Sequence, residues 1–227
     1  MPKELSKGDI RRNPLAVWVA KALQFGQDRK GLMAGILVAS LAIAAGAGAY
    51  VWYHDRQERE AQSLLVKAHI ARWGETQGGP RNPDEAKKLY AEVAGKYSGT
   101  VGAEESLIRL GNLQFDGGKY DEAIATFGTY LTAYPGGRFR IMAGIGKAYA
   151  EEAKGDLPAA EKTLSQLVES VKDDPLAGEA YSSLAHVYEV MKKPEDALRV
   201  YGQIAERFTQ THWAQNALQR LSVLKTK

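Results

Sequence analysis

Four histidines, His54, His69, His186 and His212, are the side chains of this sequence best suited to proton transfer or metal ligation near neutral pH. None of them lies at the i, i+4 or His-Glu-x-x-His spacing that would aim two ligands from one helix face. The acidic pairs Glu104-Glu105, Glu151-Glu152 and Asp173-Asp174 are sequence neighbours. On a helix, neighbours point about 100° apart, so these pairs read as solvated charges and not as a shared acid and base. The glycine pairs in "GGP" and "GGK" lack the preceding strand and the following Lys-Ser/Thr of a phosphate loop. Ser63, Ser106 and Ser182 have no identifiable base, and with no cysteine in the chain, disulfides, thiolate metal sites and cysteine nucleophiles are excluded. The sequence therefore predicts no enzyme, no metal and no cofactor. A formal charge of +3, evenly mixed along the chain, does not point to nucleic acid. What remains is a surface, and the elements that build it.

The stretch "GKYDEAIATFGTYLTAYP" places Tyr120, Ala123, Ile124, Phe127, Tyr130, Leu131 and Tyr134 on one helix face. Its small and large apolar positions recur. Ala86, Ala123, Ala160 and Ala197 are each 37 residues apart, and four residues after each stand Tyr90, Phe127, Leu164 and Tyr201. Pro83, Tyr120, Leu157 and Pro194 fall in the first turn of these helices, Pro83 following Asn82 as a cap-then-proline start. A unit this small cannot bury its apolar stripe alone, so each needs a paired helix upstream. "LIRLGNLQF", "GIGKAYAEEA" and "SLAHVYEVM" supply one, each with a large residue before a tiny one: Leu110-Gly111, Ile145-Gly146 and Leu184-Ala185. Gly111 to Ala123 and Ala185 to Ala197 are both twelve residues, whereas Gly146 to Ala160 is fourteen, which predicts a longer internal turn in the third unit. Tyr120, Phe127, Tyr149, Tyr188 and Tyr201 are expected in the core. Trp213, Ala217, Leu218, Leu221 and Leu224 share one face of a closing helix, with Gln and Arg opposite.

Residues 31–53, "GLMAGILVASLAIAAGAGAYVWY", carry no charge. At about 1.5 Å per residue they reach roughly 34 Å, enough to cross a hydrocarbon core of about 30 Å. Arg29 and Lys30 abut one end, and Tyr50, Trp52 and Tyr53 suit the headgroup zone at the other. Two other readings of this run are a signal peptide cleaved after Ala47-Gly48-Ala49 and a buried soluble helix. The 30-residue polar leader and the length of the run oppose the first, and the absence of any charge opposes the second. The leader holds seven basic residues against three acidic ones, which favours a cytoplasmic N-terminus and an exported C-terminal part. Within it, residues 13–25 form an amphipathic segment with Asn13 and Pro14 as its start, able to lie on lipid or against a protein. Gly31-x-x-x-Gly35 and Ala44-x-x-x-Gly48 would let a second helix approach closely, the form of a homo-oligomer through the span. The predicted divisions are a basic leader over 1–30, a transmembrane helix over 31–53 and repeats over 54–227, with 54–76 continuing the span as one long helix that makes anchor and repeats a stiff body.

A large residue then Gly or Ala, an aromatic three on, Ala twelve after the Gly, an aromatic four later and Pro at the end, as at Pro135, resemble the tetratricopeptide repeat. The usual period of that repeat is 34, and the extra length is assigned to the segments between units, "YSGTVGAEES", "YPGGRFRIMA" and "FTQTHWAQNA", similar to the periplasmic branch of the repeat in bacterial envelope-assembly proteins. The resemblance implies an all-α fold: one N-terminal transmembrane helix, then a solenoid of about four helix pairs with a C-terminal cap. It also implies that the leading helices face a groove, with the position after the Gly or Ala pointing inward. Those positions are Asn112, Lys147 and His186, with Phe115, Asp116, Glu151 and Glu189 one turn further. That mixed polar and aromatic lining suits an extended peptide.

The order of leader, span and repeats resembles the single-pass ancillary subunits of the Sec translocon (YfgM-like), linked to chaperoning of newly translocated proteins. The resemblance implies a bacterial inner-membrane location with a periplasmic domain, and partners among Sec translocon subunits and exported client polypeptides. A scaffold subunit of another membrane complex, whether respiratory, secretory or cell-wall building, is the alternative, and a self-assembling span is a third reading.

Overall fold

The computed structural model describes residues 17–19, 30–75 and 79–224. Of the leader and the amphipathic segment expected over 13–25, all but the helical residues 17–19 and Lys30 lie outside the described residues. The chain divides into two units, Met1–Asp55 and Arg56–Lys227. The described part of the first is residues 17–19 and helix α1 (Lys30–Trp73) up to residue 55, and residues 31–55 are all exposed. Among the described residues this one helix is long and apolar enough to cross a membrane.

The second unit contains the rest of α1 and eight further described helices: α2 (Pro83–Lys96), α3 (Val101–Asp116), α4 (Tyr120–Ala133), α5 (Arg140–Ala153), α6 (Leu157–Ser170), α7 (Gly178–Val190), α8 (Pro194–Arg207) and α9 (His212–Leu224). Local sequence sets their ends. Pro83, Tyr120, Leu157 and Pro194 are each the first residue of their helix, and the Asn82 side chain accepts from the Glu85 N–H at 3.1 Å. Thr100 and Asp156 cap α3 and α6 in the same way. The segments assigned between units end in helix, since α3, α5 and α9 begin inside them.

Each helix from α2 to α9 packs on the next, and α1 joins the array through Leu65 and Ala68, which meet Ala86 and Tyr90 of α2. The recurring alanines Ala86, Ala123, Ala160 and Ala197 are fully buried, as are Ala68, Ala148 and Ala185 facing them. Leading helices are thus the end of α1, α3, α5 and α7, and trailing helices are α2, α4, α6 and α8.

The backbone fixes the register between units. The N–H of residue 82, 119, 156 or 193 donates to the carbonyl of Ala71, Gln114, Glu151 or Tyr188, so these four carbonyls are equivalent. In the last three units the helix closes as a Schellman turn, with Gly118, Gly155 and Lys192 at positive φ. The connection is three residues long in each (117–119, 154–156, 191–193) and nine in the first unit (74–82). The longer internal turn therefore belongs to the first unit and not, as the sequence predicted, to the third. Ala148, twelve residues before Ala160, is the true counterpart of Gly111 and Ala185. Gly146 is small for another reason. The Phe127 ring lies between Gly111 and Gly146, and a Cβ added at either would stand 2.6 Å from it.

In α9, Ala214 and Ala217 are buried and Trp213, Leu221 and Leu224 pack against the core of the last units, but Leu218, expected on that face, is exposed. Tyr149, expected in the core, keeps 41 % of its surface exposed.

Candidate functional site

The register decides which side chains the leading helices turn outward. Counting 37 from Asn112 reaches Tyr149 and His186, and from Phe115 reaches Glu152 and Glu189. The first three follow the small residues Gly111, Ala148 and Ala185, and all three are exposed. Phe115, Tyr149, Glu152, Ala153 and His186 line one shallow groove across α3, α5 and α7. Its walls are tied together: His186 Nε2 is 3.1 Å from Glu152 Oε1, and the Tyr149 hydroxyl is 3.3 Å from Ser183 Oγ. Phe115 packs tilted against Tyr120, with ring centroids 5.5 Å apart, which holds its ring at the edge of the groove. Rings that are fixed but open can cover apolar side chains of a ligand, while Asn112, Glu152 and His186 offer partners to peptide groups.

Asn112 and Asp116 line an adjoining hollow with Arg72, Trp73, Tyr90 and Arg109, and Arg72 donates to Asp116. His69 occupies the first unit's place in the row, 43 residues before Asn112 because of the longer turn. It is partly buried, edge-on to Tyr90 at 5.9 Å, and burial lowers its pKa; the Arg109 charge adds to that, while Glu105 opposes it.

Two predicted groove residues lie elsewhere. Lys147 and Glu151 were placed by counting from Gly146, and with Ala148 as the reference they belong to the face packed on the trailing helix. Lys147 Nζ donates to Glu151 Oε1 and to Thr163 Oγ1 of α6, and Glu151 is buried. One unit earlier the equivalent pair is Gln114 and Thr126, joined at 2.7 Å. The groove residues that sequence reasoning passed over are Tyr149 and Glu152. The 37-residue period, already read from the alanines, would have found both.

Glu189 is in register, but it is already engaged. Its carboxylate accepts from Tyr201 at 2.6 Å and from the Arg220 guanidinium of α9. Burial pushes its pKa up, yet the hydrogen bonds from Arg220 and Tyr201 outweigh that and leave it below the usual carboxylate range. Tyr201 is pushed up to about 12, by burial and by its bond to Glu189.

A second concavity, a cleft of about 430 Å³, opens at one end of α5 and α7. Phe139, Met142, Ile145, Leu176 and Trp213 give it an apolar floor, with Arg138, Asp174 and Glu179 at the rim. Gly178 admits Trp213, whose ring atoms would lie 2.5 Å from an added Cβ.

Residues 73–138 match the family model of the tetratricopeptide repeat. No curated protein matches the chain. Among solved structures it is similar to a tetratricopeptide repeat protein from Parabacteroides merdae, at 16 % identity and a TM-score of 0.55, over 74 % of this chain and 61 % of that one. It is also similar to a Podosopora anserina putative kinesin light chain with nearly identical TPR-like repeats, at 15 % identity and a TM-score of 0.51, over 76 % of this chain and 84 % of that one. At these identities the likeness is one of fold. The helical array is a solenoid of the tetratricopeptide-repeat type, matched in sequence over residues 73–138 and in fold over most of the chain.

Proposed function

We propose that this protein is a single-pass inner-membrane protein, anchored by residues 31–53, whose exported repeats receive extended polypeptide segments as a chaperone-like accessory of the Sec translocon. The observation that carries the reading is the groove lined by Phe115, Tyr149 and His186, one ring from each of three successive leading helices, with Tyr149 and His186 in the same register position. A row of rings beside Asn112 and Glu152 grips side chains of many kinds while pairing with backbone, which is what a binder of varied unfolded segments needs. The membrane and Sec assignments draw on the uncharged run of α1, the basic leader and the order of segments. The small-residue pairs Gly31-x-x-x-Gly35 and Ala44-x-x-x-Gly48 support self-association through the span as well.

The test is crosslinking in cells, then purification in mild detergent. Sec-channel subunits recovered with a spread of exported proteins, the spread being lost in Tyr149→Ala, is the expected result. Tyr149→Ala is expected to cost roughly 1 kcal/mol, because the ring is 41 % exposed and its hydroxyl bonds Ser183, and an unfolding curve certifies that the variant stays folded. Clients bound equally by wild type and Tyr149→Ala would remove the groove from the account.

The cleft beside Trp213 favours a second reading. Its apolar lining, open at Met142 and Leu176 and deepest at Ile145, suits one fixed anchor side chain more than varied segments, as in a scaffold subunit of another membrane complex. One complex recovered in constant proportion, and released by Leu176→Asp, would decide for that reading.

A further inference from the structure

One repeated position closes the last three joints between units, and it fails to close the middle one. Phe139, Leu176 and Trp213 are 37 residues apart and stand at the starts of α5, α7 and α9. The outer two are rings held by a second ring: Phe139 lies edge-on to Tyr130 at 6.5 Å, and Trp213 to Phe208 at 6.0 Å. In the intervening unit the aliphatic Leu167 and Val171 stand in the places of Tyr130 and Phe208. The surface each closing residue meets differs too. Trp213 enters against Gly178, 35 residues before it, where no Cβ is in the way. The residue 35 before Leu176 is Ile141, a branched side chain in the place of that glycine. Leu176 stands out instead, 64 % exposed, with its N–H donated to the Asp174 carboxylate at 2.8 Å. The space left at this joint is the cleft of about 430 Å³, and Phe139 and Trp213 both line it. Its rim charges are segregated. Arg138 lies over the Phe139 ring at 5.9 Å and Arg140 donates to the carbonyls of Pro135 and Ser170, so both cations on the α5 side are engaged. On the α7 side Asp174 and Glu179 form no ion pair among the described residues.

We propose that the cleft takes one aromatic side chain of a partner polypeptide, with a Lys or Arg beside it that meets Asp174 and Glu179. The proposal rests on the second reading above, which gives the cleft a single anchor, and it names the chemistry of that anchor. A ring suits the space because the joints on either side are closed by rings, and because Phe139 and Trp213 offer faces and edges on which another ring packs. The Met142 thioether adds a polarizable contact. A basic neighbour suits the rim because the unpaired carboxylates attract it and would repel an acidic one. This site is distinct from the groove of Phe115, Tyr149 and His186, so the two stand or fall separately.

The probe is an array of immobilised peptides of Gly, Ser and Ala, each with one guest residue and one charged neighbour, exposed to the full chain in detergent micelles. Trp, Phe and Tyr guests are expected to retain at least about threefold more protein than Leu guests, and a Lys neighbour about twofold more than a Glu. Leu176→Phe supplies the ring from within the chain. It should abolish the aromatic preference and raise the thermal midpoint by about 2 °C or more. Leu176→Asp should abolish the preference with an unaltered midpoint, because the side chain is exposed. Asp174→Asn/Glu179→Gln should erase the charge preference alone, and Tyr149→Ala should change neither preference. Equal retention of ring and Leu guests overturns the proposal, and so does an aromatic preference that survives either Leu176 variant. A complex recovered from cells and released by Leu176→Asp, together with equal retention of ring and Leu guests, keeps the scaffold reading and overturns the ring site. The expected array result with no complex of constant proportion from cells removes the scaffold role and supports the ring site.

Discussion

Phe127 and Tyr201 hold the same position in the repeat, two units apart, and they close their joints by opposite means. The Phe127 ring is wedged between Gly111 and Gly146, so that α3, α4 and α5 meet on bare backbone. Tyr201 carries its ring to the same depth, but its hydroxyl donates to Glu189, which in turn binds Arg220 of α9. The contrast extends around each joint. Where the central region has Gly146, the last unit has Ser183, buried and bonded to the Tyr149 hydroxyl; where it has Gly118 and Gly155 in the helix-ending turn, the last unit has Lys192. At this position the centre is closed by the absence of side chains and the C-terminal end by their bonds, although polar pairs such as Gln114–Thr126 and Lys147–Glu151 also brace the central helices. Dry contact without Cβ tolerates no added volume, whereas a partly exposed polar joint responds to charge and pH.

The largest expected effect is at the dry joint. Phe127→Ala empties a fully buried ring site shared by three helices and is expected to cost about 3–5 kcal/mol, read as the fall in urea midpoint. Next is Gly146→Ala. The added methyl must displace an aromatic ring fixed on both faces, and about 1–3 kcal/mol is expected. Phe127→Leu should recover part of that loss in the double variant, since the shorter side chain vacates the space; strict additivity of the two changes would mean that ring and glycine do not share the joint.

At the polar joint Glu189→Gln is expected to cost about 1 kcal/mol, less than a buried ion pair because Arg220 is nearly half exposed. It should also alter the response to acid. The folded-state pKa of Glu189 is depressed, so its contribution is present above the ordinary carboxylate value of about 4.5 and is lost as pH falls through the lowered folded value. The wild-type midpoint should therefore fall more than that of Glu189→Gln between about pH 5 and 3. Parallel falls would separate the Arg220 bond from the stability of the cap. His69 has the same sign at higher pH. Burial depresses its pKa, so it stabilises above about 6.5 and loses that contribution on acidification, and His69→Asn should flatten the profile there.

The helices and their pairing could be read from the chain because Ala86, Ala123, Ala160 and Ala197 repeat without a gap, and a buried position admits few residue types. The outward face was harder, since exposed positions are free to differ: Asn112, Tyr149 and His186 share no chemistry. The error over Lys147 and Glu151 has a definite cause. α5 is rich in small residues, and Gly144, Gly146, Ala148 and Ala150 each qualify as a close-approach site by type. Type alone does not separate them: the 37-residue period picks Ala148 as the match to Gly111, and the contacts explain the others, since Gly144 receives Leu167 and Gly146 receives Phe127. Buried polar pairs were likewise invisible, because Lys147 and Thr163 lie sixteen residues apart and meet only when α6 folds back. The open joint at Leu176 needed both the period and the exposure of that side chain to be recognised.

The smallest expected effect tests the comparison most sharply, because a single substitution turns the terminal solution into the central one. Lys192 adopts φ 56, a left-handed backbone that crowds its Cβ, in the turn position where the two preceding units have Gly118 at φ 69 and Gly155 at φ 83. Lys192→Gly relieves that crowding, worth about 1–2 kcal/mol, but gives the unfolded chain more freedom, which returns about 0.5–1 kcal/mol. A net gain of about 0.5–1 kcal/mol is expected. Gly155→Ala should lose a similar amount for the reverse reason, and Gly118→Ala likewise. The hydrogen bonds of the turn run from backbone to backbone in all three units, from residue 118, 155 or 192 to the carbonyl three before it, so none is altered by the change. If Lys192→Gly instead destabilised the protein, the Lys192 side chain would have to contribute to the last unit beyond its backbone, and the contrast between a centre held by bare backbone and an end held by side-chain bonds would extend into the turn itself.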